Sequence, residues 1–196
     1  MKAPLIVNCV LNSFLSCTAI TLNTLTILAL RRLTSHLSKT LRMLLLNLAV
    51  TDLGVGLLAQ PSYVVYLVMI IQGKTQTFTS EITLQIVYIT GKFISYVSFF
   101  GVVALAADRF LSIYLHLRYQ ELVTYKRVLT VVVSIWILSA ILALIFSLRP
   151  QIEFFISVPM ESVCYLATAS FYLKIYLLVR RHRTQILTQR INSGTD

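Results

Sequence analysis

The chain has 196 residues, 57% of them hydrophobic and only 12% charged, with a mean hydropathy of +0.81. It also holds charge-free runs at residues 3–30 and 128–148, each longer than the roughly 20 apolar residues that carry a helix across about 30 Å of hydrocarbon, so an integral membrane protein is expected and a soluble domain is not. The net charge of +10 comes from basic residues clustered in short gaps between apolar segments, without the basic stripe and interleaved aromatics of a nucleic-acid surface, which argues against nucleic acid as a partner.

The pattern predicts an all-α membrane protein with five spans, at about 4–30, 43–71, 81–114, 128–148 and 154–179. The first lacks a short core followed by a small-residue cleavage site and reads as a spanning helix, not a cleaved signal. Arg31, Arg32, Lys39 and Arg42 mark a basic loop after it. The second span is interrupted by Asp52 and is expected to bend at Pro61, where a backbone donor is missing. Residues 72–80, with Gly73, form a polar turn. The third span contains Lys92 and runs into Asp108-Arg109-Phe110, two charges where hydrocarbon gives way to water. Arg118, Lys126 and Arg127 make the next basic loop, and residues 149–151 a very short connection. The fifth span is interrupted by Glu153, Glu161 and Lys174 and leads into Arg180, Arg181, His182 and Arg183. Cys9, Cys17 and Cys164 lie in apolar segments without metal-ligand spacing and read as small buried hydrophobes.

Of the 17 basic residues, thirteen fall in the two basic loops and the C-terminal segment, including Arg109 and Lys174 at the span ends and Arg190 near the terminus. Lys2, Lys74 and Arg149 fall on the opposite side, and Lys92 within a span. The excess of cytoplasmic Lys and Arg in membrane proteins places the N-terminus outside and the C-terminus in the cytoplasm. That result requires an odd number of spans, which five satisfies.

A charge at the centre of a bilayer costs about 2.5–3.5 kcal/mol, so each buried polar group asks for a reason. At about 1.5 Å per residue, Asn23 stands ~12 Å above the inner edge, Asp52 ~14 Å and Ser98 ~16 Å. Three polar side chains on three spans thus share a level. Either they form an oxygen-rich site for a small hard cation, or they form a hydrogen-bonded packing cluster without an ion. Near the outside, Lys92 and Glu161 stand ~25 and ~27 Å up their spans. They could pair across a cavity; alternatively Lys92 faces an anionic ligand group or snorkels outward. With Gly91, they are the candidates for ligand contact. No nucleophile and base stand together: Thr51-Asp52 sets one hydroxyl beside one carboxylate without a histidine in reach, so no enzyme is expected.

Asp108-Arg109-Phe110, followed by Ile113-Tyr114 and Arg118-Tyr119, resembles the Asp-Arg-Tyr region of rhodopsin-like (class A) G-protein-coupled receptors. Leu46-Asn47-Leu48-Ala49-Val50-Thr51-Asp52-Leu53 is similar to their second-helix signature, and is the more specific match. Trp136 stands where the family has its fourth-helix tryptophan and Asn23 where it has its first-helix asparagine, with Leu22 in place of the usual glycine. Tyr172, with Ile175-Tyr176 and Arg180-Arg181-His182, resembles the inner end of the fifth helix. The resemblance implies that Arg109 is released on activation to face a heterotrimeric G protein, that Asp108 restrains it and that Tyr172 stabilises the active arrangement. It implies a sodium pocket at Asp52 and Ser98, with sodium as an allosteric ion and no other cofactor. Phe110 for tyrosine is a mild departure.

Other departures are larger. The family's outer cysteine of the third helix is Leu84 here, and the loop around Arg149 lacks its partner; the fifth-helix proline is Cys164. These losses resemble the melanocortin branch and its lipid-receptor relatives, in the group that includes adenosine receptors. Residues 1–196 then read as one partial seven-transmembrane receptor domain, truncated after the fifth helix: the arginine is present, but the sixth helix, whose movement opens the G-protein site, is not. The implied partners are a G protein, an extracellular small-molecule, lipid or peptide ligand, membrane lipid and other receptor copies. The implied location is the plasma membrane, as a multi-pass protein, with retention in the endoplasmic reticulum as the alternative for the truncated form. Two other readings stand beside this one. A non-signalling protein could associate with intact receptors through an exposed flank. A small transporter or channel subunit would require broken helices and inverted halves, which the sequence lacks.

Overall fold

The computed structural model describes residues 2–32, 37–74, 78–115 and 118–193, with side chains as far as Arg180. Part of the first basic loop (33–36), the polar stretch 75–77, and the side chains of Arg181, His182, Arg183 and Arg190 lie outside the described residues. The helices are α1 (Ala3–Arg32), α2 (Lys39–Gly54), α3 (Gln60–Ile71), α4 (Phe78–Tyr114), a short α5 (Tyr119–Leu122), α6 (Tyr125–Leu148) and α7 (Pro150–Ser193). Five segments are long and apolar enough to cross a membrane, with Lys39–Ile71 as the second and Pro150–Arg180 as the fifth.

Local chemistry sets several of the ends. The Ser38 hydroxyl caps α2 by accepting the Leu41 N–H at 3.3 Å. Between α6 and α7 the connection shrinks to Arg149, whose φ of −138° is extended, as the residue before a proline prefers. Pro150 then takes the first helical position, where its missing N–H costs nothing. The fifth span therefore starts earlier than the expected 154, and Glu153 sits inside its first turn. The helix also runs past the expected 179 to Ser193, and it carries Pro159 in its interior.

The second span is distorted at Val55–Ala59, a single π turn, and not at Pro61 itself. In regular α register the Pro61 ring would strike the Leu57 carbonyl; widening the preceding turn relieves that clash. The Gln60 N–H now reaches the Val55 carbonyl, and in the same register residue 61 would serve the Gly56 carbonyl. Pro61 has no N–H to give. Ser16 on α1 supplies the donor instead, its hydroxyl 2.6 Å from the Gly56 oxygen. Glycine is needed there because a Cβ would stand 2.9 Å from Ile20 Cγ1 and 3.0 Å from the Ser16 carbonyl oxygen. Small residues at such crossings let membrane helices approach closely.

The central element is α4, which packs against the second, fourth and fifth spans and buries Val97, Ala106 and Tyr96. Aromatic contacts join it to α6: Phe93 meets Trp136 edge-on at 5.7 Å, and Tyr96 meets Phe146 at 6.0 Å. The outward faces of α1, α6 and α7 carry exposed Phe14, Ile137 and Leu166, side chains that lipid tails solvate without penalty.

Candidate functional site

Polar side chains gather at three levels of the bundle. At the basic end, Arg109 and Asp108 are sequence neighbours, yet the guanidinium folds back onto the carboxylate: Nη2 donates to Oδ2 at 2.5 Å and Nε to the same oxygen at 3.2 Å. The second carboxylate oxygen is taken as well, by the Tyr119 hydroxyl at 2.6 Å. That hydroxyl lies 3.3 Å from Thr40 Oγ1, which in turn lies 3.2 Å from the capping Ser38. Asp108 is only 5% exposed, so the bonds replace lost hydration of a charge, where charge-assisted bonds are worth more than neutral ones. Burial, and then the bond to Asp108, hold the Tyr119 phenol above its ordinary value of 10.0, so it remains a donor.

The short α5 is what brings Tyr119 back under α4. Sequence reasoning noted Tyr119 as part of a motif but did not anticipate it as a partner of Asp108, or Thr40 as a partner of Tyr119; no periodicity links residue 40 to residue 119. Beside this cluster Phe110 stacks on Tyr114 at 5.5 Å and on Phe171 at 5.4 Å, with Lys174 Nζ 5.6 Å from its ring. Phe110 thus fastens the third span to the fifth. Tyr172, next to Phe171, is 50% exposed on the flank of α7.

At mid-height the Asn47 carbonyl oxygen accepts the Trp136 indole N–H at 2.8 Å, tying the second span to the fourth. Gly101 on α4 makes room for this pair, since a Cβ there would stand 2.9 Å from Asn47 Nδ2 and 3.1 Å from Leu48 Cδ2. Asp52 on the second span and Ser98 on the third lie close enough for the hydroxyl to act on the carboxylate. Asn23, expected at the same level, donates to the Ala19 carbonyl of its own helix at 2.9 Å. The structure therefore joins two of the three predicted partners. Ser98 also lines a cavity of about 440 Å³ with Ser95 and Thr168. Asp52 is not among the residues that line this cavity; a carboxylate and a hydroxyl are the kind of oxygen ligands that a hard cation such as sodium takes.

At the far end the expected pairing of Lys92 with Glu161 does not form. Lys92 makes its ion pair with Glu153, and Tyr88 donates its hydroxyl to the other oxygen of the same carboxylate. The early start of α7 explains the difference, because it puts Glu153 on the helix. Gly91, Lys92 and Glu161 do line one cavity, of about 410 Å³, with Tyr88, Tyr96, Phe99 and Tyr165 around it. Phe99 and Tyr165, both in its lining, meet edge-on at 5.0 Å.

Comparison with known proteins gives these levels a context. The family model described as 7 transmembrane receptor (rhodopsin family) matches residues 22–185. The chain is also similar to adenosine receptor A2b from Gallus gallus, 35% identical over 100 residues, which cover 51% of this chain and 27% of that receptor. The chain thus spans about a quarter of the length of the curated relative it matches. Residues 22–185 include the Asp108-Arg109 pair, the Asn47–Trp136 bond and all five spans in whole or part, and the chain belongs to the seven-transmembrane receptors of the rhodopsin family.

Proposed function

We propose that these five spans serve a plasma-membrane receptor in which an extracellular ligand shifts the population between two states, and in which Arg109 is the group that a heterotrimeric G protein meets in one of them. The observation that carries this reading is the lock on Arg109. Its guanidinium is held by Asp108 at 2.5 Å, while Tyr119 holds Asp108 from the side of the loop and Thr40 of the second span meets the Tyr119 hydroxyl. Such a cluster has two discrete arrangements, closed as seen or opened with Arg109 turned outward, and small shifts of α4 decide between them. Tyr172 stabilises the opened arrangement, and Phe110, stacked on Phe171, carries movement between third and fifth spans.

The cavity lined by Gly91, Lys92 and Glu161 receives the ligand, and Asp52 with Ser98 holds a sodium ion that favours one state. The membrane lipid and further receptor copies meet the exposed apolar flanks. The test is nucleotide exchange by a purified heterotrimer in membranes carrying these five spans together with a sixth and a seventh from the same family. Arg109→Ala is expected to lower exchange about tenfold, within the range of typical coupling energies. Unchanged exchange at equal surface expression would remove the assignment.

A further inference from the structure

Charge bookkeeping in the cavity between the third and fifth spans points to one class of ligand. Lys92 and Glu153 satisfy one another, and the second oxygen of Glu153 is occupied by Tyr88. That cation is therefore not free to receive an anionic ligand. Glu161 stands eight residues further along α7, about 12 Å deeper by helical rise, and it has no ion-pair partner among the described residues. The cavity thus holds one acid in excess. An unpaired ionisable group at membrane depth is costly and marks a functional position.

The walls suit a cation as well. Tyr88, Lys92, Ser95 and Phe99 follow one another at spacings of four, three and four along α4, so they share a face, and Glu161 and Tyr165 share a face of α7. Four aromatic rings, those of Tyr88, Tyr96, Phe99 and Tyr165, line the space together with the carboxylate. Aromatic rings attract a cation within about 6 Å through their negative faces, most strongly where water is excluded. One ring already does so, with Lys92 Nζ 5.7 Å from the centroid of Tyr88. At about 410 Å³ the cavity has room for a small organic molecule.

We infer that this cavity takes a small organic cation, an ammonium group carried on an apolar or aromatic body, with Glu161 as its counter-ion and Phe99 and Tyr165 against its apolar part. The inference rests on the reading of this cavity as the ligand site and adds the sign of the ligand's charge. Of the alternatives open from sequence, it sets aside the one in which Lys92 faces an anionic ligand group.

The experiment is equilibrium binding to the purified full chain in lipid nanodiscs, with three probes of similar shape: phenethylammonium, phenethyl alcohol and hydrocinnamate. Phenethylammonium is expected to bind about tenfold more tightly than the alcohol, and hydrocinnamate more weakly still. Glu161→Gln should erase the preference for ammonium over alcohol, while Glu161→Asp, which keeps the charge, should retain it. Equal binding of ammonium and alcohol by the unaltered chain, preference for hydrocinnamate, binding of none of the three, or full ammonium preference in Glu161→Gln would each overturn the inference. The comparison of probes on the unaltered chain needs no variant to fold. Binding is also read without a G protein, so failure here leaves the Arg109 exchange result standing, and failure of exchange leaves the binding result standing.

Discussion

A carboxylate held in hydrocarbon is stable only if something replaces its water, and the Ser98 hydroxyl is the protein donor nearby that acts on Asp52 among the described residues. One hydroxyl leaves most of a carboxylate's acceptor capacity unused. The cavity lined by Ser98 has room for water or for a hydrated cation. The two cases separate by ion identity. If sodium is bound, sodium chloride should stabilise the folded protein more than potassium chloride at equal ionic strength, by about 1.4 kcal/mol when sodium stands at ten times its Kd. Asp52→Asn should abolish the difference in melting temperature between the two salts. A difference that persists in Asp52→Asn would place sodium elsewhere, and none in the unaltered chain would leave a hydrogen-bonded packing pair. Sequence spacing reached Asp52 and Ser98 because height along a helix is read directly from residue count. It failed for Asn23, which turns to Ala19, because count gives height but not the side chain's choice between a neighbouring span and its own backbone.

At the scale of an element, the second span shows how a proline is accommodated by a partner outside its own helix. The π turn at Val55–Ala59 moves the distortion one turn ahead of Pro61 and leaves the Gly56 carbonyl to Ser16 of α1. Sequence alone located the bend near Pro61, since a missing N–H is visible in the residue type. The turn was not legible, because it depends on a serine 40 residues away and on glycine permitting the approach. The coupling is measurable as a double-mutant cycle in reversible unfolding from lipid–detergent micelles. Ser16→Ala should cost about 1–3 kcal/mol, the price of leaving a buried acceptor unpaired. In a Pro61→Ala background, where residue 61 regains its N–H, the same substitution should cost about 1 kcal/mol less. Equal penalties in both backgrounds would show that Ser16 does not stand in for the missing donor.

At the scale of the whole molecule, the five spans were legible because hydrocarbon imposes a length and forbids charge, and the basic gaps between them stand out against that background. The cluster around Asp108 was half legible: Arg109 announced itself as a charge at a span end, while Tyr119 and Thr40 became partners only through the short α5 and the packing of α2. The far end was misread through one boundary, Pro150 in place of 154, which left Glu153 at the margin of the span and out of consideration as the partner of Lys92. Every functional assignment nevertheless depends on which end faces the cytoplasm. The basic end must be inside for Arg109 to meet a G protein and for the cavity at Glu161 to meet an extracellular ligand. Thirteen basic residues against three predict that orientation. Sealed microsomes derived from the endoplasmic reticulum keep the cytoplasmic face outward and so report it whether or not the chain reaches the cell surface. With Cys9, Cys17 and Cys164 replaced, a membrane-impermeant maleimide should label Gln120→Cys, exposed on α5, in intact vesicles. It should label Gln72→Cys, exposed at the end of α3, only after permeabilisation. The reverse pattern would put Arg109 outside the cell, where no G protein could reach it, however well the Asp108 lock is formed.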